Sequence, residues 1–328
     1  MGLSDLEFAD LAVERDPAAS RYKRFSDDLR LVSVPEVHWE ELRALRSQME
    51  AHDSHRFRMV FGGMKLRVQK RDTPYGAVFV ARRIAGILRK LDDIGLPTPL
   101  VQALRDARMR SGLLLFAGGP GMGKTTLGCA LLMDRLERIG GFSWTAENPV
   151  EYDLQGPRGN GQCYQEEIED DSEVQRVFMD TLRSGADTFY IGEIREASAA
   201  KTAGLAAASG MLVISTLHAD NPQQAILKMG MLSGFDGLAQ CLRGVVTLRI
   251  DKELGAGSMP GATLPGSNSA AKNVLHVQSF FVDDEPTRMK IRDGNMAAIN
   301  QDIESQKNRS ISMGRVFDAG LHPAKGGR

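Results

Sequence analysis

A nine-residue run rich in glycine has the spacing of a loop that holds phosphate. The run consists of Gly118, Gly119, Pro120, Gly121, Met122, Gly123, Lys124, Thr125 and Thr126. Glycines let such a backbone turn tightly and aim successive N–H groups at an anion, while the lysine reaches the β- and γ-phosphates and the first threonine places its hydroxyl on Mg²⁺. The pattern G-x-x-x-x-G-K-[ST] therefore predicts that this run binds a nucleoside triphosphate with Mg²⁺.

The residues on either side of this loop support the prediction. The apolar stretch 113–117 before it is typical of a buried strand, and Leu127, Ala130 and Leu131 after it recur at helical spacing. A strand, a loop and a helix thus follow one another in the order that a phosphate site requires. The alternative is a glycine-rich turn that matches the pattern by chance, and the ordered flanks argue against it.

Three polar residues come at or just after the ends of further apolar stretches, namely Glu147, Glu193 and His218. In an open parallel sheet, ligands bind at the carboxyl ends of the strands. Cleavage of a triphosphate needs a carboxylate that organises metal and a group that orients water, and these side chains could supply both. Each of them alone fits a solvated loop carboxylate or a capping histidine. Their recurrence beside one phosphate loop favours a shared catalytic site.

The order of elements predicts an α/β protein with two domains. Residues 1–94 are typical of a small α+β domain, and 95–105 contain two prolines that suit a linker. Residues 106–328 alternate strands and helices, which predicts a mostly parallel sheet with helices on both faces, a flexible loop at about 255–271 and a helical tail. The expected strands are 29–34, 57–60, 65–68, 77–80, 113–116, 141–145, 188–191, 212–215 and 274–282, and the expected helices include 39–49, 173–182 and 197–208.

The composition is that of an ordinary globular protein. Its 328 residues are 42% apolar and 25% charged with a formal net charge of −1, so we expect no direct nucleic-acid binding. Cys129, Cys163 and Cys241 are far apart in sequence and predict buried thiols in a reducing compartment. We see neither a signal-peptide core nor a transmembrane-length apolar stretch, and we expect a cytoplasmic protein that meets membranes through partners.

Taken together, the motifs resemble those of the secretion-ATPase superfamily, which includes the motors of type II secretion, type IV secretion and type IV pili. The resemblance covers roughly residues 8–250. Besides the phosphate loop, the matching segments are Leu96-Pro97 with 111–114, an acidic box at 147–152, a second acidic motif at 192–195, a histidine box at 207–218, and two strands whose arginines, Arg67 and Arg82, lie 15 positions apart.

This resemblance implies a fold, an activity and an assembly. The fold would be a RecA-like phosphate-loop domain preceded by a small PAS-like α+β domain. The chain would assemble into a ring, a homo-hexamer, and this ring would hydrolyse ATP with Mg²⁺. The ring would act on inner-membrane components of a secretion, conjugation or pilus machine, while the chain itself stays cytoplasmic and has no transmembrane segment.

The resemblance also implies roles for single residues. The loop and Lys124 would hold the phosphates, Thr125 and Glu193 would organise Mg²⁺ directly or through water, and Arg195 would contact the nucleotide. Glu147 would orient the attacking water, with Glu193 as the alternative for that task.

His218 would sense the γ-phosphate. Arg67 and Arg82 would neutralise charge that develops during cleavage, within the chain or across a subunit boundary. A solvated basic edge is the alternative for the two arginines.

The chain departs from the family pattern at three positions. Asn148 stands where aspartate is usual, Met211 replaces a histidine, and Glu196 replaces an aspartate. The C-terminal signature of pilus retraction motors has no clear match. Two other functions therefore stay open, a non-catalytic scaffold that binds ATP and a phosphate-loop kinase.

Overall fold

The structure, a computed structural model, describes residues 2–24, 29–74, 76–84, 88–253, 272–312 and 319–320. The chain divides into two units, which are described separately. The first comprises Met1–Ile87 with Glu151–Asp153, and the second comprises Leu88–Val150 with Leu154–Arg328.

The first unit is an antiparallel sheet with one α-helix among its described residues. The strands are β1 (Asp10–Val13), β2 (Arg21–Lys23), β3 (Val32–Ser33), β4 (Arg56–Phe61), β5 (Met64–Thr73) and β6 (Gly76–Arg83), in the order β3-β2-β1-β6-β5-β4. Short 3₁₀ helices lie at Leu3–Asp5, Pro17–Ala19 and Glu36–His38. Helix α1 (Trp39–Glu50) buries Leu42, Leu45 and Met49, which recur every three to four residues and so share one face, in a common core with the sheet.

The second unit is built on a nine-stranded mixed sheet. Its strands are β7 (Gly112–Ala117), β8 (Gly141–Glu147), β9 (Gly156–Arg158), β10 (Gly161–Glu167), β11 (Thr188–Ile191), β12 (Leu212–Leu217), β13 (Leu242–Glu253), β14 (Lys272–Phe281) and β15 (Ala319–Gly320). The strand order is β15-β14-β13-β7-β12-β11-β8-β10-β9. The strands from β13 to β10 in this order pair in parallel, whereas β14, β15 and β9 pair antiparallel at the two edges.

Helices connect and cover these strands. They are α2 (Thr98–Leu104), α3 (Lys124–Arg138), α4 (Val174–Leu182), α5 (Ala197–Ala208), α6 (Pro222–Ser233), α7 (Phe235–Cys241), α8 (Glu285–Arg292) and α9 (Met296–Ser312), with 3₁₀ turns at Leu91–Ile94 and Asp171–Glu173. Every residue of β7 and of β12 is buried, so both faces of these central strands are covered. The predicted α/β fold with a mostly parallel sheet is confirmed.

Several predicted elements differ in extent. The strand expected at 29–34 is reduced to β3, and part of the expected linker 95–105 forms α2, whose prolines lie at its start, where proline does not disturb a helix. The sequence did not reveal β9, β10, β13, α7 or α8. The loop expected at 255–271 lies outside the described residues.

A buried arginine ties the end of α2 to α3. Arg135, 7% exposed, donates hydrogen bonds to the carbonyl oxygens of Leu104 (2.9 Å), Asp106 (3.2 Å) and Met109 (2.6 Å). Burial lowers the pKa of this guanidinium, because the charged form loses hydration. The carbonyl groups compensate for that loss, so the segment 104–109 is fixed to α3.

The three cysteines are free and buried, as predicted. Burial raises the pKa of the Cys241 thiol to about 11, which keeps it protonated near neutral pH. In the part of the chain that is described, no helix combines the length and apolar character needed to cross a bilayer.

Candidate functional site

The predicted phosphate loop joins the end of β7 to the start of α3. Gly121 (φ 74°) and Gly123 (φ 83°) adopt left-handed backbone conformations that other residues resist. A Cβ added at either glycine would meet no heavy atom within 4 Å, so both face open space. Met122, by contrast, is held from one side, because its sulfur accepts a hydrogen bond from the N–H of Ile250 (3.1 Å). The loop is therefore attached to β13 at Met122 and has open space beside Gly121 and Gly123.

Gly118 is needed for a different reason, close approach to a neighbouring strand. A Cβ on Gly118, which has φ 152°, would lie 2.4 Å from the carbonyl oxygen of Leu248 on β13. We expect Gly118→Ala to lower the free energy of unfolding by about 1–3 kcal/mol, because loop and strand must separate. Urea unfolding measures this change.

Gly119→Ala provides the matched comparison for that measurement. The nearest heavy atom to a Cβ at Gly119 is Cγ of Met122, at an ordinary contact distance of 3.7 Å. The Gly119 variant should unfold at nearly the wild-type urea concentration. Equal stability losses in the two variants would contradict the close-approach argument.

Lys124 and His218 meet beside this loop. The Nζ of Lys124 donates to the carbonyl oxygen of Gly119 (2.8 Å) and lies 3.3 Å from Nδ1 of His218, which immediately follows β12. The other ring nitrogen, Nε2, lies 2.7 Å from Oε1 of Glu193. Nδ1 of His218 also lies 3.3 Å from the carbonyl oxygen of Gly118, the first residue of the loop. His218 thus connects the phosphate loop to Glu193.

Glu193 is held from its other oxygen as well. Nε of Arg195 donates to its Oε2 (2.8 Å), and the Glu193 side chain is 17% exposed. Thr216 on β12 donates its hydroxyl to the carbonyl oxygen of Gly192 (2.7 Å), which fixes the peptide before Glu193. The carboxylate therefore lies in a defined position at the carboxyl ends of β11 and β12.

Glu147 ends β8 on the far side of β11 from β12. It is 1% exposed, and its Oε1 accepts a hydrogen bond from Nε2 of Gln165 on β10 (2.7 Å). A Cβ on Gly192 would lie only 3.3 Å from the Glu147 Cα, so Glu147 packs directly against the residue that precedes Glu193. Glu147 and Gly192 are thus in contact at the neighbouring ends of β8 and β11. Gln165 was not predicted as a site residue, because the sequence of β10 carries no clear strand pattern.

The residues present fit a magnesium ion that is bound together with a triphosphate. Mg²⁺ prefers oxygen ligands and is commonly held by one or two protein groups plus substrate phosphates. Thr125, the second residue of α3, and Glu193 supply such oxygens. Within the described ranges no group of three or more His, Cys, Asp or Glu side chains could hold a metal by itself. An ion here would therefore depend on the nucleotide for much of its coordination.

A family model described as "Type II/IV secretion system protein" matches residues 50–299, more than half of the chain. The chain belongs to the type II/IV secretion system protein family. The family predicted from the sequence motifs is thereby confirmed. Family members with similar sequences include the type II secretion system protein HxcR of Pseudomonas aeruginosa, which is 29% identical over 245 residues, or 68% of this chain and 50% of that protein. The chain spans half or less of the length of the first curated relatives it matches.

Solved structures of two other proteins share the fold. The pilus retraction motor PilT with bound ADP superimposes with a TM-score of 0.67 at 18% identity, covering 96% of this chain and 88% of PilT. The ATPase DotB of Legionella pneumophila gives a TM-score of 0.64 at 15% identity, covering 94% and 85%. At these identities the likeness concerns the fold.

Two departures from the family pattern have structural explanations. The side-chain amide of Asn148 donates to the carbonyl oxygen of Glu169 (2.6 Å), a bond that an ionised aspartate could not make. Met211 is 5% exposed and belongs to the apolar core, where it precedes β12. The backbone of Asn148 also meets Arg195, whose Nη2 donates to the Asn148 carbonyl oxygen (3.3 Å).

The two arginines singled out in the sequence lie side by side in the first unit of this secretion-family chain. Arg67 on β5 and Arg82 on β6 are register partners. Arg82 donates to both carboxylate oxygens of Asp10 (2.6 and 3.1 Å), and this hydrogen bond is the main reason that its pKa is raised. Arg82 is thus a half-exposed, ion-paired side chain, and a role for it in catalysis stays a prediction.

Proposed function

We propose that the protein is an ATP-hydrolysing motor subunit of a type II secretion, type IV secretion or type IV pilus machine. The observation that carries this proposal is the continuous set of contacts from the phosphate loop through Lys124 and His218 to Glu193. A glycine-rich turn of purely structural function would not need contacts beside it among a lysine, a histidine and a carboxylate from three different parts of the sheet and its helices.

In this proposal the chain's own residues divide the work. Bound Mg·ATP would supply the phosphoanhydride bond to be cleaved and a cation that offsets phosphate charge. Gly121 and Gly123 leave room for phosphate, and Lys124 contributes the positive charge that stabilises it. Thr125 and Glu193 would offer oxygen ligands to Mg²⁺. Arg195 donates a hydrogen bond to Glu193 and so holds its carboxylate in place.

The surroundings of the two carboxylates favour different tasks for them. Glu193 is engaged by His218 and Arg195, so its negative charge is shared with groups near the loop. Glu147 is more deeply buried and accepts from a neutral amide. We therefore propose that Glu147 orients the attacking water and accepts its proton. Glu193 would instead help to hold Mg²⁺.

The assembly is part of the same proposal. We infer a cytoplasmic homo-hexamer that docks on inner-membrane components, with a RecA-like phosphate-loop domain at 106–328 joined through 95–105 to a PAS-like domain at 1–94. Arg67 and Arg82 would supply cationic groups to a nucleotide of the same or a neighbouring subunit. The resemblance of the fold to PilT and DotB supports this proposal, and the near-zero net charge agrees with the absence of nucleic acid as a partner.

Phosphate release from Mg·ATP tests the proposed activity. We expect the purified chain to release inorganic phosphate, and removal of Mg²⁺ with EDTA to stop the release while an excess of Mg²⁺ restores it. ATP binding without phosphate release would instead support a scaffold that uses ATP as an assembly ligand. Transfer of the phosphate to an added acceptor would support the kinase alternative.

A further inference from the structure

Gln165 joins the buried carboxylate of Glu147 to the backbone of a neighbouring segment. Its Nε2 lies 2.7 Å from Oε1 of Glu147, and its Oε1 accepts a hydrogen bond from the N–H of Leu154 (3.1 Å). The backbone N–H of Gln165 itself donates to Oε1 of Gln155 (2.7 Å). Both the backbone and the side chain of Gln165 are therefore held.

The hydrogen-bonding partners of the Gln165 side-chain amide permit only one of its two orientations. A backbone N–H only donates and an ionised carboxylate only accepts, so the carbonyl oxygen must face Leu154 and the NH₂ group must face Glu147. A flipped amide would lose both bonds. The Leu154 N–H thus acts on Glu147 through Gln165, because it determines which end of the amide the carboxylate meets.

Glu147 needs such a partner because its side chain is only 1% exposed. A buried carboxylate without a donor changes rotamer or takes up a proton, since the charged form is costly away from water. The parallel register of β8 and β10 pairs Thr145 with Gln165, which places the glutamine two residues before the Glu167 that pairs with Glu147. The sheet itself therefore brings the donor to the carboxylate.

We propose that Gln165 is a positioning residue for Glu147, which holds the carboxylate in one rotamer, ionised and ready to orient water. The catalytic part of this inference rests on the proposed ATP hydrolysis. Gln165 touches neither phosphate nor metal in this proposal. It acts only through Glu147.

Gln165→Glu is the sharpest test, because it changes one group and leaves the shape of the side chain unchanged. The new carboxylate still accepts from Leu154, but in its ionised form it cannot donate to Glu147 and puts a like charge beside it. We expect kcat to fall by about 10-fold or more and KM for ATP to stay within about 2-fold of the wild-type value. In the pH profile of kcat, the acidic limb should move to higher pH.

Gln162→Glu is the matched control, since it adds the same charge to the same strand in register with Phe142. It should leave both kcat and the pH profile near wild type. Gln165→Leu removes the donor without adding charge, so it should lower kcat and shift the acidic limb less than Gln165→Glu does. A purely structural role would lower stability without moving the pH profile.

A second measurement does not depend on turnover. Infrared titration of the nucleotide-free protein, with the Glu147 carboxyl band assigned by its loss in Glu147→Gln, should show protonation at higher pH in Gln165→Glu than in wild type. An unchanged titration of Glu147 in that variant would overturn the proposal. A shifted titration in a protein that hydrolyses no ATP would remove the proposed function while supporting the positioning of Glu147 by Gln165.

Discussion

Replacing Lys124 by alanine should lower the rate of ATP hydrolysis by roughly 10²–10³-fold or more, because a fixed positive charge at the phosphates is lost. Lys124 is 7% exposed and already lies between the Gly119 carbonyl oxygen and His218, so its ammonium group is held next to the loop. A steady-state phosphate-release assay gives the rate. Tryptophan fluorescence and urea unfolding show whether the variant keeps its fold.

The control for this experiment is Lys201→Ala. Lys201 lies on α5 with an exposed side chain, so the variant removes one positive charge away from the loop. It should hydrolyse ATP at close to the wild-type rate. Near-normal turnover in Lys124→Ala would end the ATPase proposal, because no other group described in the loop could replace the ammonium.

A pair of isosteric substitutions should separate the tasks of the two carboxylates. We expect Glu147→Gln to lower kcat by roughly 10²–10⁴-fold, the range lost with a general base, while binding of ATP and Mg²⁺ is kept. Glu193→Gln should instead raise the Mg²⁺ concentration needed for half-maximal turnover. This difference follows from the contacts, since Glu193 is linked to the loop through His218 and Glu147 is held by Gln165.

The same Mg²⁺ titrations measure the effects of Glu147→Gln and of Glu193→Gln. Turnover is measured across a series of Mg²⁺ concentrations, and nucleotide binding is measured by equilibrium dialysis for each variant. If Glu193→Gln abolishes turnover at every Mg²⁺ concentration while Glu147→Gln alters only the Mg²⁺ requirement, the assignments must be exchanged. Glu196→Gln, which removes an exposed carboxylate just after Arg195, serves as the charge control.

The central strands and the loop could be predicted because local sequence determines them strongly. Continuous apolar runs produce β7 and β12, and their order around the glycines places a strand before the loop and a helix after it. The bounds of α5 agree with the expected 197–208 for a similar reason, since this segment is alanine-rich and favours helix. The meeting of Glu193 and His218 was expected from the carboxyl ends of parallel strands.

Other parts of the site depend on contacts that sequence patterns do not show. β10 (Gly161–Glu167) has few apolar residues and is a strand because β8 and β9 pair with it on its two sides. Gln165 was therefore missed together with its strand. β13 follows α7 without a turn, since Cys241 ends the helix and Leu242 begins the strand, so no glycine or proline marked the change.

Arg135 gives α3 a second attachment point far from its first residue. Lys124 and Arg135 are separated by about 17 Å along the helix axis, at about 1.5 Å per residue. Because α3 is one continuous helix, it connects Lys124 at the loop to Arg135 near its other end. The carbonyl groups of Leu104 and Met109 are bound to that end through Arg135, and these hydrogen bonds are buried or partly buried and would be costly to break. A single helix therefore links the predicted phosphate loop to the backbone that leads into β7.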